Sequence, residues 1–262
     1  MNNVNKTLYI PLYGKAYVSK KNMIIRDQKA EEIWEQEGFE LKGKSKSKWL
    51  AYYMAMRSAI FDEWVRQEIQ KCSQVVVLHI GCGMDSRIER VGAKDVRWYD
   101  IDFPDVIEER RKYYTESDCY HMLSVDMRSA EWKKYIEENQ DAVIVIEGVS
   151  MYFTSDELTG LLSNLAGHFK SIKVLMDCYT EKAANVSKYK NPINDVGVTV
   201  VYGYDHPEEL AKKSGLVFEK EYDMTPQKYI DELRGMERIV FKNLFAGKIS
   251  KSMYRMYGFE KV

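Results

Sequence analysis

Two glycines and three carboxylates follow short apolar runs of this sequence, where proteins of alternating strands and helices bind their ligands. They are Gly81, Gly83, Asp102, Asp126 and Glu147. A glycine, having no Cβ, lets a ligand approach the backbone closely. A carboxylate accepts hydrogen bonds from the two hydroxyls of a ribose or from the amine of an adenine. The set therefore predicts a binding site for an adenosine-containing ligand.

Each carboxylate has a separate role in this interpretation. Asp102, or alternatively Asp100, binds the ribose, while Asp126 accepts from the adenine amine and Met127 lies against the ring. Glu147 meets the ammonium or the sulfonium of S-adenosylmethionine. A dinucleotide cofactor would instead bring a pyrophosphate, whose negative charge is repelled by carboxylates. The residue types therefore favour S-adenosylmethionine as the cofactor.

A nicotinamide dehydrogenase is the main competing interpretation, because its glycine fingerprint also follows a strand. That fingerprint is GxGxxG or GxGxxA, with an acidic residue about 20 positions further on. Asp102 lies 21 residues after Gly81 and meets the second condition. Ser86, followed by Arg87, occupies the place of the third small residue, so the fingerprint is incomplete. We therefore rank the dehydrogenase below a methyl-transferring enzyme.

The elements that must position these residues alternate between short apolar runs and segments of helical length. We predict strands at Val75–Ile80, Val96–Tyr99, Tyr120–Val125, Ala142–Ile146, Ile172–Met176, Leu216–Tyr222 and, at a sheet edge, Tyr254–Glu260. We predict helices at Asp27–Gly38, Lys48–Gln70, Pro104–Tyr114, Ser129–Glu138, Ser155–Phe169 and His206–Ser214. Such alternation predicts a doubly wound, mostly parallel α/β sheet with ligands at the carboxyl ends of its strands.

The N-terminal segment differs from the rest because it is helical and rich in Trp, Tyr and Met. We predict an N-terminal helical lid at 1–71 and an adenosylmethionine-binding α/β domain at 72–262. An insertion over the site is expected near 180–205. Within the domain, Thr154 and Glu157 have the spacing of a capping box at the start of the helix at Ser155–Phe169.

Four motifs at the strand ends resemble those of the leucine carboxyl methyltransferase family. The more similar branch is that of the bacterial O-methyltransferases of polyketide synthesis, of the tetracenomycin type. The resemblance extends over roughly residues 8–180 and includes N-terminal segments at 11–16 and 25–30. The four motifs are GCGMDSR at 81–87, YDIDFP at 99–104, SVDMR at 124–128 and EGVSMYF at 147–153.

This resemblance implies a seven-stranded, Rossmann-like class I methyltransferase fold that binds S-adenosylmethionine. It implies that Gly81, Cys82 and Gly83 line the cofactor, and that the strand-end carboxylates have the roles given above. Arg87 also follows the glycines. It either contacts the cofactor or forms an ion pair with Asp85 that orders the turn.

The resemblance further implies a basic residue from the lid that pairs with the cofactor carboxylate. Arg57 is the first candidate for this role and Lys15 the second. The catalytic work is mainly positioning, because methyl transfer from a sulfonium is a displacement and a carboxylate acceptor is already ionised at neutral pH. No catalytic base is then required. A phenol acceptor would need one, for which Tyr152 and His121 are the candidates.

The preferred hypothesis is an O-methyltransferase that esterifies the carboxylate of a small, polyketide-like acid. A protein C-terminal carboxyl methyltransferase and a non-catalytic adenosylmethionine-binding protein are the alternatives. The 39 Lys and Arg side chains nearly balance the 40 Asp and Glu, so we expect neither a nucleic-acid partner nor a membrane surface. The four cysteines lack metal-site spacing, so no metal is expected. Without a secretory signal pattern, the expected location is the cytoplasm.

Overall fold

The computed structural model describes residues 8–37, 41, 43–72, 74–187 and 200–261. Its sheet consists of β1 (Val75–Ile80), β2 (Arg97–Asp102), β3 (Tyr120–Ser124), β4 (Asp141–Ile146), β5 (Ser171–Tyr179), β6 (Val217–Tyr222) and β7 (Tyr254–Lys261). Its helices are α1 (Tyr9–Ser19), α2 (Gln28–Glu37), α3 (Lys48–Lys71), α4 (Arg87–Val91), α5 (Pro104–Arg110), α6 (Ser155–His168), α7 (Glu181–Ser187), α8 (Pro207–Ser214), α9 (Gln227–Glu232), α10 (Gly235–Leu244) and α11 (Lys248–Lys251). Short 3₁₀ segments lie at Gly43–Lys46, Ala130–Lys134 and Ser150–Tyr152.

The strands follow the order β3-β2-β1-β4-β5-β7-β6 across the sheet. Strands β1 to β5 are parallel to one another, whereas β7 is antiparallel to both β5 and β6. The order reverses between β1 and β4, which opens a crevice at their carboxyl ends. The structure thus confirms the predicted doubly wound, mostly parallel, seven-stranded sheet.

Strand β7 corrects the prediction that Tyr254–Glu260 is an edge strand. It lies inside the sheet, and β6 is the edge strand on that side. The side chains explain the position, because Met256, Tyr257 and Phe259 are all buried. The sequence of a strand that has neighbours on both sides and is covered on both faces is typically a nearly continuous apolar run.

The structure also differs from the prediction of a helix at Ser129–Glu138. It contains only the 3₁₀ segment Ala130–Lys134, which Ser129 caps by accepting a hydrogen bond from the Glu131 N–H. Of the residues in Ser129–Glu138 only Trp132 and Ile136 are buried, and Tyr135 is 60% exposed, so few apolar contacts would stabilise a longer helix. Asn139 then adopts a left-handed conformation (φ 59°) that turns the chain into β4.

Several helices appear where the sequence analysis predicted none. They are α1 at the N-terminal side, α4 after the glycine turn, α7 after β5, and α9, α10 and α11 between β6 and β7. Helix α1 packs against α2 and α3. Its residues Leu12 and Val18 belong to a core that also contains Phe61 of α3 and Val77 and Leu175 of the sheet. The N-terminal helices therefore share a hydrophobic core with one face of the sheet.

The division into a lid at 1–71 and a domain at 72–262 stays a prediction. The expected insertion near 180–205 is only partly visible, since 188–199 lie outside the described residues. What is described there is α7 and a short bridge between Tyr179 and Gly203. Among the described helices, none is long and apolar enough to cross a membrane.

The capping box at the start of α6 is confirmed. Thr154 Oγ1 accepts a hydrogen bond from the Glu157 N–H (3.3 Å), and Glu157 Oε2 accepts one from the Thr154 N–H (2.8 Å). Both donors would otherwise lack an intrahelical partner.

We predict that Thr154→Ala lowers the free energy of unfolding by about 1 kcal/mol, because the first turn of α6 loses its cap. The midpoint of urea denaturation measures the change. Ser155→Ala is the matched control, since Ser155 is exposed and follows the cap directly. Equal midpoints for Thr154→Ala and the unsubstituted protein would show that the box contributes no stability.

Candidate functional site

A cavity of about 600 Å³ opens at the carboxyl ends of β1, β2 and β4. Nearly all the residues predicted to bind the cofactor line it, and so does Tyr152, a candidate base for a phenol acceptor. They are Lys15, Arg57, Gly81, Cys82, Gly83, Asp102, Asp126, Met127, Glu147 and Tyr152. The sheet thus brings together residues that are up to 137 positions apart in the sequence, from Lys15 to Tyr152.

The glycine turn after β1 is held against the end of β2. The N–H groups of Gly81 and Cys82 both donate to the carbonyl of Ile101 (2.8 and 3.2 Å). Gly81 has φ 68°, and a Cβ added there would lie 2.1 Å from Cγ2 of Val149. Only glycine fits this position, both for its backbone conformation and for the closeness of the chain after β4.

Asp102 at the end of β2 has backbone donors as its partners in the described chain. Its Oδ2 accepts from the Gly83 N–H and its Oδ1 from the Phe103 N–H, both at 2.8 Å. Burial raises the pKa of Asp102 to about 6, although these two hydrogen bonds favour the ionised form. Each carboxylate oxygen keeps a further lone pair, so the group can accept from a diol in the cavity.

The alternative ribose ligand, Asp100, does not line the cavity. It is buried beneath the turn, where it contacts Arg110, the Tyr120 hydroxyl (2.7 Å) and the Trp98 indole N–H (2.8 Å). Burial tends to raise its pKa, but Arg110 and then His79 hold it at about 2. The geometry therefore leaves Asp102 as the ribose candidate.

Asp126 and Met127 follow β3 at the next strand end. Arg128 binds the Asp126 carboxylate through Nε (2.9 Å) and Nη2 (2.6 Å). Burial acts to raise the pKa of Asp126, but the hydrogen bonds from Arg128 lower it overall. Met127 is buried and forms part of the cavity wall. This end of the cavity thus has a carboxylate, paired with Arg128, beside an apolar surface.

Glu147 after β4 lines the cavity, but both of its oxygens already have cationic partners. Oε1 accepts from Arg57 Nε (3.0 Å) and Ser58 Oγ (2.8 Å), and Oε2 contacts Arg87. Burial acts to raise the pKa of Glu147, whereas Arg87 and Arg57 lower it to about 2. Its predicted contact with a cofactor ammonium would have to be shared with these guanidinium groups.

Arg57 lies between two buried carboxylates and at the cavity wall. Its Nη1 donates to Asp177 Oδ2 (3.0 Å) and to the Tyr254 hydroxyl (3.3 Å). Within the described chain Nη2 has no hydrogen-bond partner, and it lies beside Gly148, where an added Cβ would be 3.3 Å away. A guanidinium fixed on two sides, with donors left on the third, suits an anionic group in the cavity.

Arg87 is the predicted cofactor residue that does not line the cavity. It is fully buried behind the wall and contacts Asp62 (2.9 Å), Asp85 (3.4 Å) and Glu147. The alternative prediction, an ion pair with Asp85, is the one that the geometry supports. Lys15 lines the cavity, but it too pairs with Asp85 (2.9 Å).

Arg110 of α5 fixes the glycine turn from below and was not predicted. Its guanidinium donates to the carbonyls of Gly83 (2.9 Å) and Asp85 (2.7 Å) while it pairs with Asp100. Asp177 and Tyr254, which hold Arg57, were also missed. Asp177 and Tyr254 lie in or beside apolar segments, and that interruption was the only signal in the sequence. Arg110 lies among other charged residues and gave no such signal.

The C-terminal wall of the cavity was not predicted either. It is formed by residues of α10 and α11 and the segments that follow them: Leu244, Phe245, Ile249, Ser250, Met253 and Tyr254. His121, one of the two candidate bases, does not line the cavity. His79 is buried against Trp98 and Asp100, and His121 packs on Tyr99. No group of three His, Cys, Asp or Glu side chains in the described ranges is arranged to hold a metal ion.

Comparisons with known proteins agree with this architecture. The tetracenomycin polyketide synthesis O-methyltransferase TcmP of Streptomyces glaucescens is 26% identical over 243 residues, which are 92% of this chain and 90% of that protein. The S-adenosyl-L-methionine-dependent methyltransferase dpfgK of Gibberella zeae is 23% identical over 233 residues, or 80% and 78% of the two chains.

Among solved structures, magnesium protoporphyrin IX methyltransferase (ChlM) from Synechocystis PCC 6803 with bound SAH has a TM-score of 0.53 at 9% identity. The match covers 90% of this chain and 93% of that one, and it shows the class I methyltransferase fold. Residues 10–166 match the sequence profile of leucine carboxyl methyltransferases, which is more than half of the 262 residues. This chain therefore belongs to the leucine carboxyl methyltransferase family.

Proposed function

We propose that the protein is an S-adenosylmethionine-dependent O-methyltransferase that esterifies the carboxylate of a small acid. One observation carries the proposal: a glycine turn, two ionisable strand-end carboxylates and a guanidinium with free donors line a single cavity. Asp102 would accept from the ribose, Asp126 from the adenine amine, and Arg57 would donate to the cofactor carboxylate. The relatives named above support the same cofactor.

The acceptor chemistry follows from the residues that line the cavity. Among the described ones, His79 is the only histidine, and it is bonded to Asp100 while burial lowers its pKa. Among the described lining residues, no histidine is therefore free to remove a proton from a phenol. A carboxylate needs no such base, since it is already ionised.

S-Adenosylmethionine, when bound, supplies a methyl group whose bond to sulfur breaks as the acceptor oxygen bonds to carbon, leaving a neutral ester and a neutral thioether. The protein's part is to hold the acceptor in line and to exclude water, and such positioning can contribute on the order of 7–11 kcal/mol. Tyr152, half-buried at the cavity wall, would contact the acceptor. The N-terminal helices that carry Lys15 and Arg57 would cover the cofactor as a lid.

A polyketide-like acid is the acceptor class favoured by the similarity to TcmP. The cysteines of the described chain are free thiols, which supports the cytoplasm, a reducing compartment, as the location. The two alternatives, methylation of a protein C-terminus and cofactor binding without catalysis, make different predictions about which compounds become methylated.

We predict that Asp102→Ala weakens binding of S-adenosylhomocysteine by about 1–3 kcal/mol, because the charge-assisted hydrogen bonds to the ribose are lost. Titration calorimetry measures the dissociation constant. Asp118→Ala is the matched control, since Asp118 is an exposed aspartate away from the cavity. If both variants bind as the unsubstituted protein does, Asp102 does not hold the ribose.

The raised pKa of Asp102 gives this binding a pH dependence. With a pKa of about 6 in the free protein, the carboxyl group is protonated at lower pH and then loses acceptor capacity. Affinity for S-adenosylhomocysteine should therefore fall as pH drops below about 6 and be constant above it. Calorimetry across this range should give a flat curve for Asp102→Asn. An equally steep curve for that variant would assign the titration to another group.

The absence of a required base predicts the pH profile of catalysis. At saturating S-adenosylmethionine, kcat for a carboxylate acceptor should not rise between about pH 6 and 8, because no proton has to be removed. Ester formation from radiolabelled cofactor measures the rate. A rise of tenfold per pH unit in that interval would show that a base is needed and would contradict a carboxylate acceptor.

A further inference from the structure

Four large apolar side chains line the cavity and are nevertheless open to solvent: Val186 of α7 (48% exposed) and three residues of the C-terminal wall. Leu244 is 58% exposed, Ile249 47% and Met253 42%. We call these three residues the apolar collar. Apolar side chains that line a cavity and are exposed to water are typical of a ligand-binding groove, because a bound apolar group removes their surface from water.

The apolar collar is fixed to helix α3 by specific contacts. Phe245, between α10 and α11, stacks on Trp49 with ring centroids 5.4 Å apart and an interplanar angle of 13°. The hydroxyls of Tyr53 and Ser250 are hydrogen-bonded at 2.8 Å. The collar therefore has a defined position relative to α3, the helix that also carries Arg57.

Helix α3 presents an apolar surface along the path from the cofactor end of the cavity to the collar. Leu50, Met54 and Arg57 all line the cavity, at the i, i+4 and i+7 spacing of one helix face. Leu50 lies seven residues from Arg57, which is about 10 Å along the helix axis. An acceptor of that length would lie between an apolar helix face and the apolar collar.

The charged side chains beside the collar indicate the sign of the ligand's charge. Lys248 and Lys251 flank Ile249 on α11 and are exposed. Neither forms an ion pair with an acidic side chain of the described chain, and α11 itself contains no acidic residue. Uncompensated lysines near a cavity entrance raise the local concentration of anions and speed their association.

We propose that the acceptor is an amphiphilic monocarboxylic acid, whose apolar body lies against the collar and the α3 face while its carboxylate points inward. This inference rests on the proposed methyl transfer to an acid and specifies its substrate class. Short polar acids would leave the collar in water, and polyanionic acids would bring charge onto the apolar α3 face.

Straight-chain alkanoates from butanoate to dodecanoate test the proposal, with methyl ester formation from radiolabelled S-adenosylmethionine as the readout. We expect kcat/KM to rise about threefold to fourfold for each added methylene that becomes buried, up to a plateau where the chain passes the collar. Ile249→Ser should lower the ratio of kcat/KM for dodecanoate to that for butanoate about tenfold. Val217→Ser is the matched control, because Val217 is 61% exposed on β6 and outside the cavity.

The possible failures can be told apart. Methyl transfer without dependence on chain length, or an unchanged ratio in Ile249→Ser, would overturn the amphiphilic acceptor and leave the proposed function standing. Binding of S-adenosylhomocysteine without transfer to any alkanoate would count against the proposed function itself. Methyl transfer only to the C-terminal carboxylate of peptides, and to no alkanoate, would show that the substrate is a protein and not a small acid.

The lysines provide an independent arm of the same test. The double variant Lys248→Gln/Lys251→Gln should weaken the salt dependence of kcat/KM for dodecanoate, because attraction of the anion is screened by salt. Lys212→Gln/Lys213→Gln on α8 removes two exposed lysines that do not line the cavity and should leave this dependence unchanged. An identical salt dependence in both double variants would contradict electrostatic attraction of the anion by α11.

Discussion

Opposite charges buried around the glycine turn connect the segments that form the cavity. Arg87 alone contacts Asp62 of α3, Asp85 of the turn and Glu147 after β4. Arg90 adds contacts to Asp62, Asp85 and Asp27, the residue before α2. Removing one partner of a buried pair leaves an uncompensated charge and costs about 3–5 kcal/mol. The N-terminal helices and the strand ends are therefore held in one arrangement, on which the shape of the cavity depends.

Two strand-end carboxylates differ because only one of them, Glu147, belongs to this network. Glu147 has guanidinium partners on both oxygens, and its pKa is lowered to about 2. Asp102 has backbone N–H partners, and burial raises its pKa to about 6. Similar side chains at similar places in the sheet thus serve different purposes. Glu147 orients Arg57, whereas Asp102 keeps acceptor capacity for hydroxyl groups that enter the cavity.

The sequence was sufficient to predict the strands and most of the residues that line the cavity, because parallel strands place the residues after them at one edge of the sheet. Asp102, Asp126 and Glu147 were found in this way. Asp177 and Tyr254 were not, because their meeting with Arg57 depends on the register of β5 against β7, which a local pattern does not contain. Helices α10 and α11 were missed for another reason. The four residues of α11 are too few to show a helical period, and α10 was not assigned although Met236, Ile239, Val240 and Leu244 have the spacing of one helix face.

The place of β7 in the sheet has a consequence for how the chain folds. β7 follows all six other strands in the sequence, yet it separates β5 from β6. Until β7 forms, both neighbours have unpaired edges, and such edges invite association with other chains. Before β7 forms, the hydroxyl of Tyr254 at its start cannot accept the hydrogen bond from Arg57. Assembly of the cavity is therefore coupled to a late pairing with a large sequence separation, which is intrinsically slow.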